Sequence, residues 1–522
     1  MPELYQCDVL IIGSGIAGAT AALELADQQL NVLLITRAEE PQESNTYYAQ
    51  GGIIYQGKTD SPESLAQDLF KAGVNYNNPN AVKLLADIGP GLVKRILIDK
   101  LHVPFDRETD GSFSLIHEAA HSSKRILHTT DVTGKAIEIE LIKAVKAHPG
   151  VTILTQHTAI DLITPSHHSS DPNYMYAPQS CVGAYALNQE TGEVVRCLSK
   201  FTLLATGGLG NIFLKTSNPS GARGDGLAMA YRANARVTNA EFVQFHPTTF
   251  HHRHAPNFLI SEALRGAGAK LLDTHGNPFM ERFSPDWKDL APRDIVARSI
   301  HMIMLEQGVK SVYLDLASYM TPAKIKAHFP SIYEQLISYG VDISSEPIPV
   351  VPAAHYSVGG VWVDDWGRTT IDQLYAAGEV SCTGLHGANR LGSASLLEGL
   401  VWGQRVAQHI HEHIDEVNLL EATIIPSWQL ADEQLPDLAL IQQDMSSIQH
   451  IMWNYVGLIR TPKRLKRAWN ELRTLEFQIE EFYRETRITD SLVGLRNAVR
   501  SALIITIAAW TNKKSIGCHY LA

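Results

Sequence analysis

Residues 8–18 read Asp-Val-Leu-Ile-Ile-Gly-Ser-Gly-Ile-Ala-Gly, and their interpretation decides the fold. Asp8–Ile12 is a short apolar, β-branched run, which predicts a buried strand. Gly13, Ser14, Gly15, Ile16, Ala17 and Gly18 form a GxGxxG turn, followed by the helical pattern ATAALELADQ and a second strand, Asn31–Ile35. In such a β–turn–α–β unit Gly13 allows the tight bend and Gly15 lets the backbone approach a pyrophosphate. Gly18 lets the helix pack on the strand, and free N–H groups at the helix N-terminus face the phosphate. With these elements on each side, dinucleotide binding is favoured over a glycine-rich turn in some other α/β domain. The second strand runs into Thr36-Arg37, where an acidic residue commonly holds ribose hydroxyls. An arginine there fits either a 2′-phosphate, hence NADP, or a flavin site that uses other contacts.

Two further strands run into glycines: Phe201-Thr-Leu-Leu-Ala205 before Thr206-Gly207-Gly208, and Leu374-Tyr-Ala-Ala before Gly378-Glu379. Strand ends of this kind, spread over the chain, predict one sheet assembled from distant segments. The expected organisation is a Rossmann-like α/β dinucleotide-binding domain over 1–239 and 353–424, with an inserted α+β capping domain over 240–352. Beyond 425 the texture changes. Residues 440–483 and 490–511 predict amphipathic helices of a C-terminal bundle, 425–522. The stretch His167-His168-Ser169-Ser170-Asp171-Pro172 predicts a loop.

A chain of 522 residues with 45% apolar residues and interspersed charges is that of an ordinary globular enzyme of about three domains. Its net charge of −11 gives no support to nucleic-acid binding, but a local basic pocket for an acidic substrate remains compatible with it. Cys7, Cys181, Cys197, Cys382 and Cys518 are odd in number and form no CxxC pair, which argues against a disulfide framework or zinc ribbon and for a reducing compartment. No signal peptide or membrane span is expected, and the cytoplasm is the expected location.

Residues 117–121, His-Glu-Ala-Ala-His, match the HExxH zinc-protease signature. Zinc proteases place that motif on a helix so that both imidazoles share a face. Here the preceding Asp110–Ile116 predicts a turn and a strand, and no third ligand follows at suitable spacing. The cluster His251-His252-Arg253-His254 predicts a solvated loop. No metal is expected.

Nine motifs in order resemble the flavoprotein family of succinate dehydrogenase, fumarate reductase and L-aspartate oxidase. They are GSGIAG, Thr46-Tyr-Tyr-Ala-Gln-Gly-Gly52, LLATGG, Glu241-Phe-Val-Gln-Phe-His-Pro247, Ser261-Glu-Ala-Leu-Arg-Gly266, Ala291-Pro-Arg-Asp294, His355-Tyr-Ser-Val-Gly-Gly360, YAAGE and Gly387-Ala-Asn-Arg390. The L-aspartate oxidase branch is the nearest, through Asn454–Arg460. The resemblance implies FAD, with Arg37 as a basic variant contacting the flavin nucleotide. It implies a cofactor set of Gly13, Ser14, Gly15, Ile16, Ala17, Gly18, Arg37, Asn45, Thr46, Ala49, Gln50, Gly51, Gly52, Thr206, Gly207, Asp225, Glu379, Ser395 and Leu396. Membrane-bound relatives carry a flavin-linking histidine where this chain has Asn45, and an amide cannot form that bond, so the FAD is expected to be non-covalent.

Oxidising a small dicarboxylate needs a cationic clamp at each end, and arginine's planar fork suits a carboxylate. The resemblance gives Arg390 and His355 to one carboxylate, and His246 and Ser261 to the other. Arg293 is the acid/base position, with Glu262 and Arg265 completing a proton relay. Glu118, in the family's E-x-x-H-S pattern, becomes the residue that selects an α-ammonium, assisted by Gln244, with His121 a neighbour of the substrate. The implied activity is oxidation of L-aspartate to iminoaspartate by hydride transfer to flavin. The acceptor is O2, giving H2O2, or fumarate; the step is the first of de novo NAD biosynthesis, and a quinolinate synthase consumes the imine. The alternatives are a soluble fumarate reductase or succinate dehydrogenase flavoprotein, an electron-transfer subunit dependent on an iron–sulfur partner, and the zinc protease. Near the C-terminus, Ile516 stands where relatives usually carry arginine, which leaves the contact made by this tail open.

Overall fold

The structure, a computed structural model, describes residues 4–58, 60–118, 120–130, 132–255, 258–429 and 434–522. Residues 1–3, part of the N-terminus considered for a signal peptide, and Ala119 of the HEAAH stretch lie outside them. The strand Leu4–Ile12 lies inside a seven-stranded sheet, between Val32–Ile35 and Val194–Leu204 and parallel to both. Val151–Leu154 extends one edge. On the other side, Val194–Leu204 pairs with Gly183–Asn188 along its first half and with Leu374–Ala376 along its second. Ile12, Ile35, Leu204 and Ala376 are in register, so four strands from segments over 360 positions apart end along one edge. Ligands bind at such a carboxyl edge in open α/β sheets.

Both faces of the sheet are covered, so its central strands turn apolar toward the carboxyl edge, where Val9–Ile12 and Val32–Ile35 are buried on both sides. Leu10, Ile12, Leu33 and Ile35 face one core, and Val9, Ile11, Val32 and Leu34 the other, as strand alternation requires. On the second face the helix Ile16–Asp27 packs against Ala394–His413. Gly403 makes that contact close: a β-carbon there would overlap the backbone oxygen of Ala17.

A separate four-stranded antiparallel sheet joins Val243–Phe250, Ile348–Ser357, Val312–Asp315 and Lys270–Leu272 in that order. It encloses its own core, including Phe250, Leu271, Leu314 and Val350, to which the helix Arg293–Gln307 contributes Val296 and Ile300. This is the inserted α+β part.

The C-terminal helices are Leu438–Tyr455, Pro462–Glu485 and Asp490–Thr511. The helical stretch expected over 440–483 holds two helices. Thr461 caps the second through the Arg464 N–H, and Pro462 fills its first turn, where a missing N–H is harmless. Asp490–Thr511 is long and apolar enough to cross a membrane, but 78% of its apolar window is buried against the sheet and its sister helices. The segment 167–172 holds the end of a one-turn helix, Pro165–His168, rather than loop alone.

Candidate active site

One cavity of about 790 Å³ runs from the carboxyl edge of the large sheet to the antiparallel sheet. Every expected site residue lines it except Gly18, Gln244 and Arg265, and His121, expected beside the substrate, lies outside the lining too. Gly18 acts at one remove: a β-carbon there would overlap the carbonyl oxygen of Gly13, so glycine lets the helix sit on the turn. Gly13, at φ +110°, similarly abuts the Ala205 backbone at the neighbouring strand end. The helix N-terminus at Gly15 has no side-chain cap, and only the Ile16 N–H is taken, by Thr46 Oγ1 at 3.0 Å. The next N–H groups, of Ala17 and Gly18, precede the first intrahelical bond, from the Ala19 N–H to Gly15.

This cradle fits FAD. Gln50 and Thr206 both line the cavity, and their Oε1 and Oγ1 atoms are buried with no partner among the described residues. A bound ribityl or isoalloxazine group would satisfy such atoms, which otherwise cost about 1–3 kcal/mol each. Asn45 Nδ2 donates to Glu379 Oε2 at 2.7 Å, and the Ser357 N–H donates to Oε1 at 2.9 Å. Burial pushes the Glu379 carboxyl up to about 7. Asn45, Ala49, Gly51, Gly52, Gly207 and Leu396 complete the wall.

Arg37 is not a free cation awaiting a phosphate. Its Nη1 lies 3.3 Å from Asp490 Oδ2, at the start of a C-terminal helix. Asp490 also binds Arg223, at 3.0 Å, and Arg223 binds Asp225. Arg37 therefore lines the nucleotide end while tied to the helical bundle. Its charge is largely matched, which weakens the 2′-phosphate alternative.

At the opposite end Arg390 is 7% exposed. Its Nε donates to Gln244 Oε1 at 3.2 Å, its Nη1 donates to Ser395 Oγ at 2.8 Å, and its guanidinium lies 4.5 Å from the centre of the Tyr356 ring. Burial, then the nearby Arg293, lower its pKa to about 10, so it stays charged at neutral pH. Gln244 was expected at the substrate. Its amide is instead consumed, Nε2 donating to Asn389 Oδ1 at 2.8 Å and to the Arg390 carbonyl at 2.9 Å. It holds Arg390 in place from behind the cavity wall.

His246 and His355 lie on paired strands of the antiparallel sheet, their rings 5.4 Å apart. The pairing skips His355 between Gln244–Tyr356 and Phe245–Ala354. This bulge re-aims the side chain toward the cavity. Ser217 Oγ lies 2.9 Å from His355 Nδ1, and Thr248 backbone groups engage His246 Nδ1, leaving each Nε2 free for a ligand. Burial and adjacent arginines hold both imidazoles well below the usual histidine pKa, so both are neutral.

Ser261 caps the helix Glu262–Gly266, its oxygen accepting from the Ala263 N–H at 3.2 Å. The hydroxyl hydrogen remains available to an anion. Arg293 Nε donates to Glu262 Oε2 at 2.8 Å, and Arg265 Nη2 lies 3.5 Å from Glu262 Oε1. Burial opposes the charge on Glu262, but Arg293 and Arg265 outweigh it and lower its pKa. Burial likewise opposes charge on Arg293, and Glu262 outweighs it. Arg265 is fully buried behind Glu262, donating to the Asp289 carbonyl at 2.7 Å. The expected triad is contiguous, with only Arg293 and Glu262 at the cavity.

Glu118 Oε2 accepts from Ser393 Oγ at 2.7 Å and packs against Gly51 and Gly392. The described residues around it are not helical: His117 Nε2 contacts the His121 carbonyl at 2.5 Å, and His121 Nε2 lies 3.1 Å from the Gly392 carbonyl oxygen. Among the described residues no three metal-ligating side chains converge, at HEAAH or at His251–His254. His252 instead stacks on Phe250, 5.6 Å between ring centres.

Sequence reasoning missed Ser217, Ser393, Tyr356 and Asn389, each of which orients a candidate ligand group. Tyr356 and Asn389 stand directly beside His355 and Arg390, and that adjacency was the available signal. Ser395 lines the cavity as expected and also accepts from Arg390.

Residues 8–396 match the family model described as FAD binding domain. The chain is 42% identical to the L-aspartate oxidase of Pseudomonas aeruginosa over 100% of its length and 96% of that protein. It is 43% identical to that of Yersinia pestis, covering 98% and 95%. Among solved structures, a mutant FrdA of the E. coli quinol fumarate reductase superposes with a TM-score of 0.87 at 26% identity, over 100% of this chain and 92% of that one.

Proposed function

The chain belongs to the L-aspartate oxidase family of FAD-binding flavoproteins, and from that premise we propose how its residues divide the oxidation of L-aspartate to iminoaspartate. It is a flavin-dependent oxidoreductase with FAD as its cofactor. When bound, FAD would supply the two-electron acceptor for the α-carbon hydride, while the α-ammonium gives up a proton as the C=N bond forms. Gly13–Gly18, Thr46, Gln50 and Thr206 hold it, without a covalent bond because Asn45 carries no nucleophile for one.

Arg390 and His355 grip one carboxylate of the substrate; His246, through Nε2, and the Ser261 hydroxyl grip the other. Neutral imidazoles donate without adding cations that would repel the arginines. Glu118, fixed by Ser393, faces the α-ammonium and gives L-aspartate a charge-assisted contact that succinate, as a rival electron donor, lacks. With fumarate as acceptor, Arg293 donates a proton from its guanidinium and is reprotonated by way of Glu262, which lies at its Nε and draws the charge back to Arg293. Arg265 keeps Glu262 ionised. The segment 240–352 caps the cavity against water. With O2 as acceptor the second product is H2O2. The released imine is unstable in water, which favours coupling to a quinolinate synthase in the cytoplasm, early in NAD biosynthesis.

The observation carrying this reading is the convergence of Arg390, Arg293, His246, His355 and Glu118 on one cavity continuous with the dinucleotide cradle. Its test is Glu118→Gln. A charge-assisted contact contributes about 1.5–3 kcal/mol, so kcat/KM for L-aspartate should fall roughly tenfold to a hundredfold. Fumarate reduction, whose substrate has no ammonium, should hold. Equal losses on both substrates would remove Glu118 from specificity.

A further inference from the structure

The segment Ser515–Ala522 carries Ile516, where the resemblance implies an arginine, and its contacts give it a role. Ile516 and Cys518 pack with Phe242, Tyr356, Val358 and Ala388 in a small core directly behind the Arg390 ring stack. The Cys518 N–H donates to the Ala388 carbonyl at 2.9 Å, and Cys518 Sγ donates to Asn389 Oδ1 at 3.3 Å. That same oxygen receives the Gln244 amide that holds Arg390. Gly517 has φ +53°, and a β-carbon there would overlap the Ala388 carbonyl oxygen.

The other side of the segment meets the helix that begins at Arg293. The Arg298 guanidinium lies 4.9 Å from the centre of the Tyr520 ring, and Arg298 pairs with Asp294 at 2.8 Å. A third anchor comes from the helical bundle. Arg460, fully buried, contacts His519 Nδ1 at 2.6 Å and donates to the Glu241 carbonyl at 2.8 Å, while its own N–H donates to the Tyr520 carbonyl. Glu241 lies two residues before the strand that carries Gln244 and His246. The turn Ile516–Tyr520 is thus wedged where three parts of the molecule meet, against the supports of both candidate substrate arginines.

We propose that Ile516–Tyr520 is a positioning element of the active site, fixing the Arg390 loop and the Arg293 helix at the separation a four-carbon dicarboxylate requires. This rests on the assignment of Arg390 to a substrate carboxylate. An apolar Ile516 suits the role, because it fills the core behind Tyr356 without adding a further cation beside Arg390.

The test is steady-state kinetics of the FAD-loaded full chain carrying Cys518→Ala, Gly517→Ala or Tyr520→Ala, with Cys518→Ser as the conservative variant and Arg390→Ala as the control. Loss of one supporting contact shifts a binding equilibrium roughly threefold to tenfold, so KM for L-aspartate should rise by that factor in Cys518→Ala and Tyr520→Ala. The rise should be larger in Gly517→Ala, where the Ala388 backbone must move. kcat should change less, and the flavin spectrum and melting temperature should stay near wild type. Cys518→Ser, which keeps a donor toward Asn389, should recover most of the KM. If Arg390→Ala raises KM while Cys518→Ala and Tyr520→Ala leave it at the wild-type value, the positioning role is wrong. If Arg390→Ala itself leaves KM unchanged, the carboxylate assignment has failed instead. Should Gly517→Ala not fold, the other two variants decide.

Discussion

Arg390→Ala removes the cation on which the substrate clamp most depends. The guanidinium is almost fully enclosed, spans Gln244 and Ser395 with two of its nitrogens, and lies over Tyr356. Truncation leaves a substrate carboxylate facing an apolar hole and strips Gln244 Oε1 and Ser395 Oγ of their donor. Removing one partner of a buried, hydrogen-bonded charge pair costs about 2–5 kcal/mol, so kcat/KM for L-aspartate should fall by roughly 30-fold to several thousandfold. Arg390→Lys separates charge from geometry. A lysine keeps the positive charge but reaches only one of the two partners and loses the planar fork, so an intermediate loss of roughly tenfold to a hundredfold is expected. The assay is initial-rate H2O2 production over a range of L-aspartate, normalised to bound FAD. FAD content should match wild type in both variants, because Arg390 lies at the substrate end of the cavity. An Arg390→Ala enzyme with kcat/KM within about threefold of wild type and full FAD would refute the reasoning, since no charge-assisted contact is that weak when desolvated.

Gly18→Ala should yield protein with little FAD, because the new methyl meets the Gly13 carbonyl and must push the helix off the turn; the ratio of flavin to protein absorbance after purification reads this directly. Glu379, whose pKa burial raises from 4.5 to about 7, binds a proton in the folded state that the unfolded chain releases between those values. Its contribution to stability therefore falls as pH rises across that interval and is flat below it. The melting temperature of Glu379→Gln relative to wild type should rise over the same pH interval, and a pH-independent difference would contradict the assignment.

Much of the dinucleotide half was legible because its determinants are local. Strand, glycine turn and helix follow each other within thirty residues, and glycines at 13 and 18 each answer a backbone requirement. The edge formed by Ile12, Leu204 and Ala376 could be anticipated because each strand announces its end with glycine soon after. The substrate end was legible as a set of residues but not as an arrangement. Gln244 and His246 are two positions apart on one strand, yet one amide faces Asn389 and the other side chain lines the cavity. The skipped pairing at His355 is a property of how two strands meet, which neither sequence alone specifies. The ion pair from Arg37 to Asp490 joins residues 453 positions apart, and nothing near Arg37 signals it. The break at Thr461-Pro462 rests on local cap chemistry, which amphipathic periodicity alone does not mark. The tail was visible only as a departure at Ile516; its use emerges from contacts with Ala388, Asn389 and Arg298.

The central claim is that one cavity recognises two carboxylates and an ammonium together, beside the flavin. Anaerobic titration of the purified holoprotein tests it most directly, following the yellow absorbance after adding L-aspartate, succinate or L-alanine. L-Aspartate alone should bleach the flavin rapidly, since succinate lacks the group that meets Glu118 and L-alanine lacks the second carboxylate. Bleaching by L-alanine at comparable rate and concentration, or protein that is colourless and takes up no FAD, would contradict it.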